Sequence, residues 1–259
     1  RSTPWSARAH DRWRIWLRSG VGLALMAGLA AGCGGDAAPT AAPASPVVAP
    51  DPVESDVKVV VLGDSIAAGL GLPVDQAFPA VVQSMLRADG LSVDVQNAGV
   101  SGDTSAAGAS RLAWLLKQAP DLLVVELGGN DLLRGQPVEA TEARLRDIVT
   151  RAQAAGVQVV LLGIRAPGSV GPEHQAAFDS VYSRVAQDTG AAFVPGFLDP
   201  LMGKPELLQA DGLHPTPAGQ RLLAERLVPT LAGLVRQMAE RAPGDVPKTA
   251  PPAEAPPRP

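Results

Sequence analysis

The chain of 259 residues offers three histidines, His10, His174 and His214, and one cysteine, Cys33. With so few candidates, each base and nucleophile can be weighed in turn. A serine hydroxyl is a poor nucleophile at neutral pH unless a base takes its proton. Histidine, with an unperturbed pKa of about 6.5, is the natural base. His214 lies in "DGLHPTPAGQ", three residues after Asp211. A tight D-x-x-H turn lets the carboxylate reach an imidazole N–H of its own segment, fixing the tautomer and stabilising the imidazolium. His174, in "GPEHQAAF", has only the adjacent Glu173. In isolation the D-x-x-H pair reads equally as a surface Asp and His at a helix start. It could also supply two metal ligands, but no second His or Asp cluster completes such a site, so no metal or cofactor is expected.

The hydroxyl to match is Ser65, in "VVVLGDSIAAG". An apolar, strand-like run stops at Gly-Asp-Ser and gives way to small helix formers. Ser and Asp are good helix N-caps, which is the structural alternative to a nucleophile. "GDSIA" has Ala67 where the nucleophile elbow G-x-S-x-G needs its second glycine, which disfavours an α/β-hydrolase.

The elements that must position these groups follow from hydropathy. Strands are expected at Val57–Leu62, Ser92–Gln96, Leu122–Leu127, Gln158–Leu162 and Ala192–Val194. Near-continuous apolar runs such as "LLVVEL" and "VQVVLL" suit strands buried on both faces, as in a parallel sheet. Helical spacing is expected over Gln76–Asp89, Thr104–Gln118, Val138–Ala155, Glu173–Thr189 and Pro217–Met238. Alternating strand and helix predicts an α/β fold in three layers, with reactive groups at the carboxyl ends of the strands.

Ser65 takes that place after the first strand. The second strand runs into "NAGVSGDTSAAG" and the third into "ELGGNDLLRG". Gly102 can present a backbone N–H where a side chain would obstruct substrate, and Asn130 can present a neutral amide. Both are the donors an oxyanion needs. Alone, they read as a turn glycine and a helix cap.

Together, "GDS", "NAGVSGDTS", "GGND" and "DGLHP" occur in this order over Val57 to about Leu234. The set resembles the SGNH, or GDSL, hydrolase family, whose four name-giving residues correspond to Ser65, Gly102, Asn130 and His214. It is close to the bacterial thioesterase I, lysophospholipase L1 and arylesterase branch. The resemblance implies a flavodoxin-like α/β/α fold with a mostly parallel five-stranded sheet and cofactor-free ester hydrolysis. It assigns Ser65 as nucleophile, His214 as base and Asp211 as its orienting acid, with Ser65, Gly102 and Asn130 around the oxyanion. The expected substrates are small esters, acyl thioesters or lysolipids. Leu132 stands where close relatives carry Gly, so Leu132–Pro137 is expected to form an apolar loop beside the acyl site. "RAPGSVGPEH" is expected to form the other wall. Leu132, Leu133, Arg165 and Pro167 are the expected substrate contacts. A carbohydrate O-acetylesterase shares the same blocks, but would favour aromatic sugar platforms. A non-catalytic lipid-binding lipoprotein would have no use for all four elements.

Composition bounds the remaining classes. The chain is 46% hydrophobic, 3% aromatic and carries a net charge of -4. It lacks a basic stripe after residue 33 and has few stacking rings, so nucleic acid is not an expected partner. Five arginines among the first 20 residues precede the apolar run "VGLALMAGLAA" and then Cys33. This is the layout of an export signal, too short to span a bilayer. Small residues before a cysteine resemble a bacterial lipoprotein signal, although Ala30 occupies the usual large aliphatic position. An ordinary signal peptide with an incidental cysteine is the alternative. Acylation at Cys33 would anchor the protein on the periplasmic or outer side of a membrane. Gly34 would favour outer-membrane sorting in a Gram-negative host. The expected organisation is a signal over 1–33, an Ala/Pro-rich tether over 34–56, the hydrolase domain over 57–240 and a Pro-rich tail over 241–259.

Overall fold

The computed structural model describes residues 57–240. Five strands, β1 (Val57–Gly63), β2 (Val93–Gly99), β3 (Leu122–Glu126), β4 (Gln158–Leu162) and β5 (Ala192–Val194), form one sheet. All pairings are parallel and the order is β2-β1-β3-β4-β5. This is a doubly wound order, in keeping with the flavodoxin-like fold that the family resemblance implies. Its topological switch lies between β1 and β3, where ligands bind in such sheets.

Period-two side-chain alternation divides β1 between two cores. Val59 and Val61 pack with α2 (Phe78–Ala88) and α7 (Pro217–Glu240) on one face. Val60 and Leu62 pack with α3 (Ser105–Leu116), α5 (Val138–Ala154) and α6 (Pro172–Thr189) on the other. Every residue of β3 is buried, as its unbroken apolar run requires.

Several boundaries differ from the expectations, each for a local reason. The expected helix from Gln76 begins instead at Phe78, after a 3₁₀ turn at Val74–Gln76, because Pro79 fits only the first turn. The second strand runs on through Asn97 and Gly99, paired with Val61 and Gly63 of β1. The small helix formers after Gly-Asp-Ser make a short helix, α1 (Ser65–Ala68), and a second short helix, α4 (Gly129–Leu133), lies within a segment read as a loop. At four and five residues they have no apolar period to reveal them. None of the described helices is long and apolar enough to cross a membrane.

Candidate active site

β1 ends at Gly63, and Asp64 takes the N-cap of α1, its Oδ1 accepting from the Ile66 N–H at 2.9 Å. The cap role belongs to Asp64, which leaves the Ser65 hydroxyl free to face outward. His214 comes from a loop 149 residues later, and its Nε2 lies 2.9 Å from Ser65 Oγ. Its Nδ1 lies 2.6 Å from Asp211 Oδ2. Asp211 Oδ1 also accepts the backbone N–H groups of Leu213 and His214, at 2.9 and 3.0 Å. These contacts with His214 and Leu213 hold the Asp211 carboxyl at a pKa of about 2. An ionised carboxylate only accepts, so Nδ1 carries the imidazole proton and Nε2 is left to accept from Ser65.

Two glutamines hold the serine and histidine loops together. Buried Gln220 on α7 accepts from the Phe78 N–H at 2.9 Å and donates to the Ile66 carbonyl at 3.0 Å. Gln209 donates to the carbonyls of Leu70 and Pro215 at 2.8 and 2.9 Å, bridging the chain after α1 to the histidine loop.

The loop after β2 brings Gly102 to the same place with φ of +85°, a conformation that favours glycine. No described hydrogen bond uses the backbone N–H of Ser65 or of Gly102. Asn130, in α4, lines the same cavity as both. Its amide is already engaged: Nδ2 donates to Asp64 Oδ2 at 2.9 Å and to the Asp103 carbonyl at 3.0 Å. The glycine loop is pinned further. Arg134 donates to the Gly102 carbonyl at 2.8 Å, while Arg111 pairs with the Asp103 carboxylate at 2.7 Å and donates to the Gly63 carbonyl at 3.0 Å. Buried Asp131 accepts from both the backbone N–H and the hydroxyl of Ser105, at 2.7 and 2.5 Å.

A cavity of about 250 Å³ opens over these groups, with Ser65, Gly102, Asn130 and His214 in its lining. Its apolar wall is Ile66, Leu70, Leu133, Ile164, Leu198 and Leu213. Of the four expected substrate contacts, only Leu133 lines it. Leu132 turns inward against the core under α5 and α6. Arg165 points away to Asp199, 3.2 Å distant, and leaves the wall to its neighbour Ile164. Pro167 is exposed at the start of a 3₁₀ turn and is absent from the lining. Cys33 lies outside the described residues.

One buried group went unassigned in the sequence. Glu126, the last residue of β3, is fully buried beneath the cavity. Its Oε2 accepts from the Asp64 N–H at 3.3 Å, and its Oε1 has no partner. Burial, followed by the adjacent Asp64 carboxyl, pushes the Glu126 pKa well above its usual value. Burial also raises Asp64. The signal was present as a lone acid closing the apolar run "LLVVE".

A hydroxyl, an imidazole and a carboxylate in a row, at the switch point of a doubly wound sheet, define a site of the serine-hydrolase type. The GDSL-like lipase/acylhydrolase family matches residues 61–222, and the chain belongs to that family and is a hydrolase. It is 44% identical to esterase TesA of Pseudomonas aeruginosa, over 68% of this chain and 89% of the relative. It is 36% identical to the thioesterase 1/protease 1/lysophospholipase L1 of Escherichia coli, over 68% of this chain and 84% of the relative. The psychrotrophic esterase EstA from Pseudoalteromonas sp., in a structure inhibited by monoethylphosphonate, superposes with a TM-score of 0.66 at 31% identity, covering 70% of this chain and all of that one, 100%.

Proposed function

We propose that the chain hydrolyses carboxylic esters and acyl thioesters through an acyl-enzyme on Ser65. The observation that carries this reading is the Ser65–His214–Asp211 row. His214 Nε2 takes the hydroxyl proton as Ser65 Oγ bonds to the acyl carbon. The carbonyl π pair moves onto oxygen, giving a tetrahedral oxyanion. The backbone N–H groups of Ser65 and Gly102, which no described hydrogen bond uses, donate to that oxygen. The Asn130 amide joins them by sharing the hydrogen it now gives to the Asp103 carbonyl. That neutral acceptor yields more readily than the Asp64 carboxylate, because charge-assisted bonds are stronger. On collapse, His214 protonates the leaving oxygen or sulfur. Water then attacks the acyl carbon, giving its proton to His214, which returns it to Ser65 as the acid departs. The Asp211 carboxylate stabilises the imidazolium at both stages.

Similarity to proteins named as an esterase and as a thioesterase/lysophospholipase supports the substrate class. The apolar wall beside Ser65 supports acyl rather than sugar recognition. A panel of p-nitrophenyl acetate, p-nitrophenyl octanoate, palmitoyl-CoA, a lysophospholipid and acetylated xylan tests it. Turnover of the acyl substrates that is lost in Ser65→Ala supports the reading, and activity confined to xylan overturns it.

Export and lipid anchoring belong to the same proposal. They rest on the arginine-rich start, the short apolar run and Cys33, all outside the described residues. The organisation into signal, tether, hydrolase domain and tail rests on composition alone. Membrane fractionation of wild type against Cys33→Ser tests anchoring. Both proteins soluble in the periplasm would leave export and remove the anchor.

A further inference from the structure

Glu126 has no part in the proton relay, yet it is buried in the lining of the cavity that holds Ser65. Register places it beside Gly63, and a Cβ at Gly63 would lie 2.8 Å from Glu126 Oε2. The glycine therefore makes room for this carboxyl. Asp64 is its neighbour in the same buried cluster: the Asp64 N–H donates to Glu126 Oε2 at 3.3 Å, and both side chains are almost wholly buried. No lysine or arginine among the described residues bonds to either. Other charged or titratable groups nearby are committed elsewhere. Arg111 of α3 holds Asp103 and the Gly63 carbonyl, and Asp131 of α4 holds Ser105. The Tyr182 hydroxyl of α6 donates to the Leu127 carbonyl, and His214 holds Asp211 and Ser65.

Two adjacent carboxylates without a cation cannot both stay ionised in a buried place. The bonding pattern says which holds the proton. Asp64 spends both oxygens as acceptors, from Ile66 N–H and from Asn130 Nδ2. Glu126 has one oxygen that receives nothing. A proton on the Glu126 carboxyl costs that oxygen no bond, whereas a proton on Asp64 would displace one of the two donors it accepts.

We propose that Glu126 is a positioning residue: a neutral carboxylic acid that holds its proton beside Asp64 and, through Asp64, aims the Asn130 amide at the oxyanion. The chain of contacts then runs from β3 through the cap of α1 to α4, and from Asn130 on to the loop that carries Gly102. The aiming role rests on the hydrolase reading above; the proton on Glu126 does not. If Glu126 were ionised, repulsion would push Asp64 away and release the amide.

The neutral isostere separates this from a merely structural role. Glu126→Gln should keep kcat within about threefold, whereas Glu126→Ala should lower kcat by about 10–100-fold at unchanged KM, part of the loss of a whole oxyanion donor. Wild type should show a protonated-carboxyl infrared band at pH 8 that is absent from Glu126→Gln. The folded state binds a proton that the unfolded state loses above the ordinary value of 4.5, so wild-type stability should fall as pH rises from there. Glu126→Gln should flatten that fall. A missing infrared band, an unchanged pH slope or a Gln variant as impaired as the Ala variant would each overturn the proposal. If the Ala variant does not fold, the other measurements decide. If wild type hydrolyses no ester, the hydrolase reading fails, while the infrared and stability results still decide whether Glu126 is protonated.

Discussion

Gln220 and Ile66, 154 residues apart, are joined by a buried hydrogen bond of 3.0 Å from the amide of one to the carbonyl of the other. The same side chain takes the Phe78 N–H. It thus sets α7, and with it the histidine loop, against the short helix that starts at Ser65. Gln220→Leu should strand two buried backbone groups, costing roughly 1–3 kcal/mol for each. Activity should fall in the folded fraction as His214 loses its register with Ser65. Urea unfolding together with kcat of the folded protein checks both; unchanged stability would mean that solvent reaches this contact.

The choice of base is open to a direct comparison. His214→Ala should lower kcat by at least about 10⁴-fold, as the loss of a triad base does in other hydrolases. His174 is exposed in the first turn of α6, and His174→Ala should leave kcat within about twofold. Ester turnover by the two variants, purified in parallel, decides.

Asp211 gives a signed pH dependence. Its carboxyl sits at about 2, below the ordinary 3.8, because His214 and Leu213 donate to its charged form. A depressed acid contributes stability above its unfolded value and loses it as pH falls through the folded one. Wild type should therefore lose a component of stability between pH 3.8 and about 2 that Asp211→Asn lacks. Urea midpoints across this range, in both proteins, measure the difference. Parallel curves would show that these contacts do not persist in solution.

Asn130→Ala should lower kcat by roughly 10²–10³-fold with little change in KM, because the oxyanion exists only after attack begins. The amide bond to Asp64 at 2.9 Å makes Asn130→Asp more damaging still, by placing a carboxylate against a carboxylate. Steady-state kinetics on one p-nitrophenyl ester settles both. A raised KM at constant kcat would move Asn130 to substrate binding.

What was legible in the sequence were features with a period or a repeated chemistry. Apolar runs marked β1, β3 and β4, and D-x-x-H marked the turn in which Asp211 meets His214. Features set by three-dimensional packing were not legible. The five residues of α4 carry no helical stripe, so Leu132 and Leu133 seemed equivalent loop residues, whereas the helix packs one half-buried against the core and exposes the other. Arg165 and Ile164 are neighbours whose side chains diverge, and only Asp199, 34 positions on, decides which leaves the cavity. Glu126, inside the expected strand Leu122–Leu127, drew no reading because nothing local shows that Asp64 folds onto it.

The divergence of these neighbours yields a test of acyl selectivity. Leu70, Leu133 and Leu213 line the cavity yet are 45%, 64% and 49% exposed, so their apolar surface is open to a substrate chain. Each methylene a chain buries there gains up to about 0.8 kcal/mol, so a few partly buried methylenes make roughly a tenfold effect. Leu133→Ser should therefore lower kcat/KM for p-nitrophenyl octanoate by about tenfold while leaving p-nitrophenyl acetate within twofold, since the two-carbon acyl group ends before the wall. Arg165→Ala should change neither, because its guanidinium is turned to Asp199. An equal loss on both esters in Leu133→Ser would point to a disturbed Asn130 at the other end of α4. An Arg165→Ala effect on octanoate alone would return that side chain to the acyl wall.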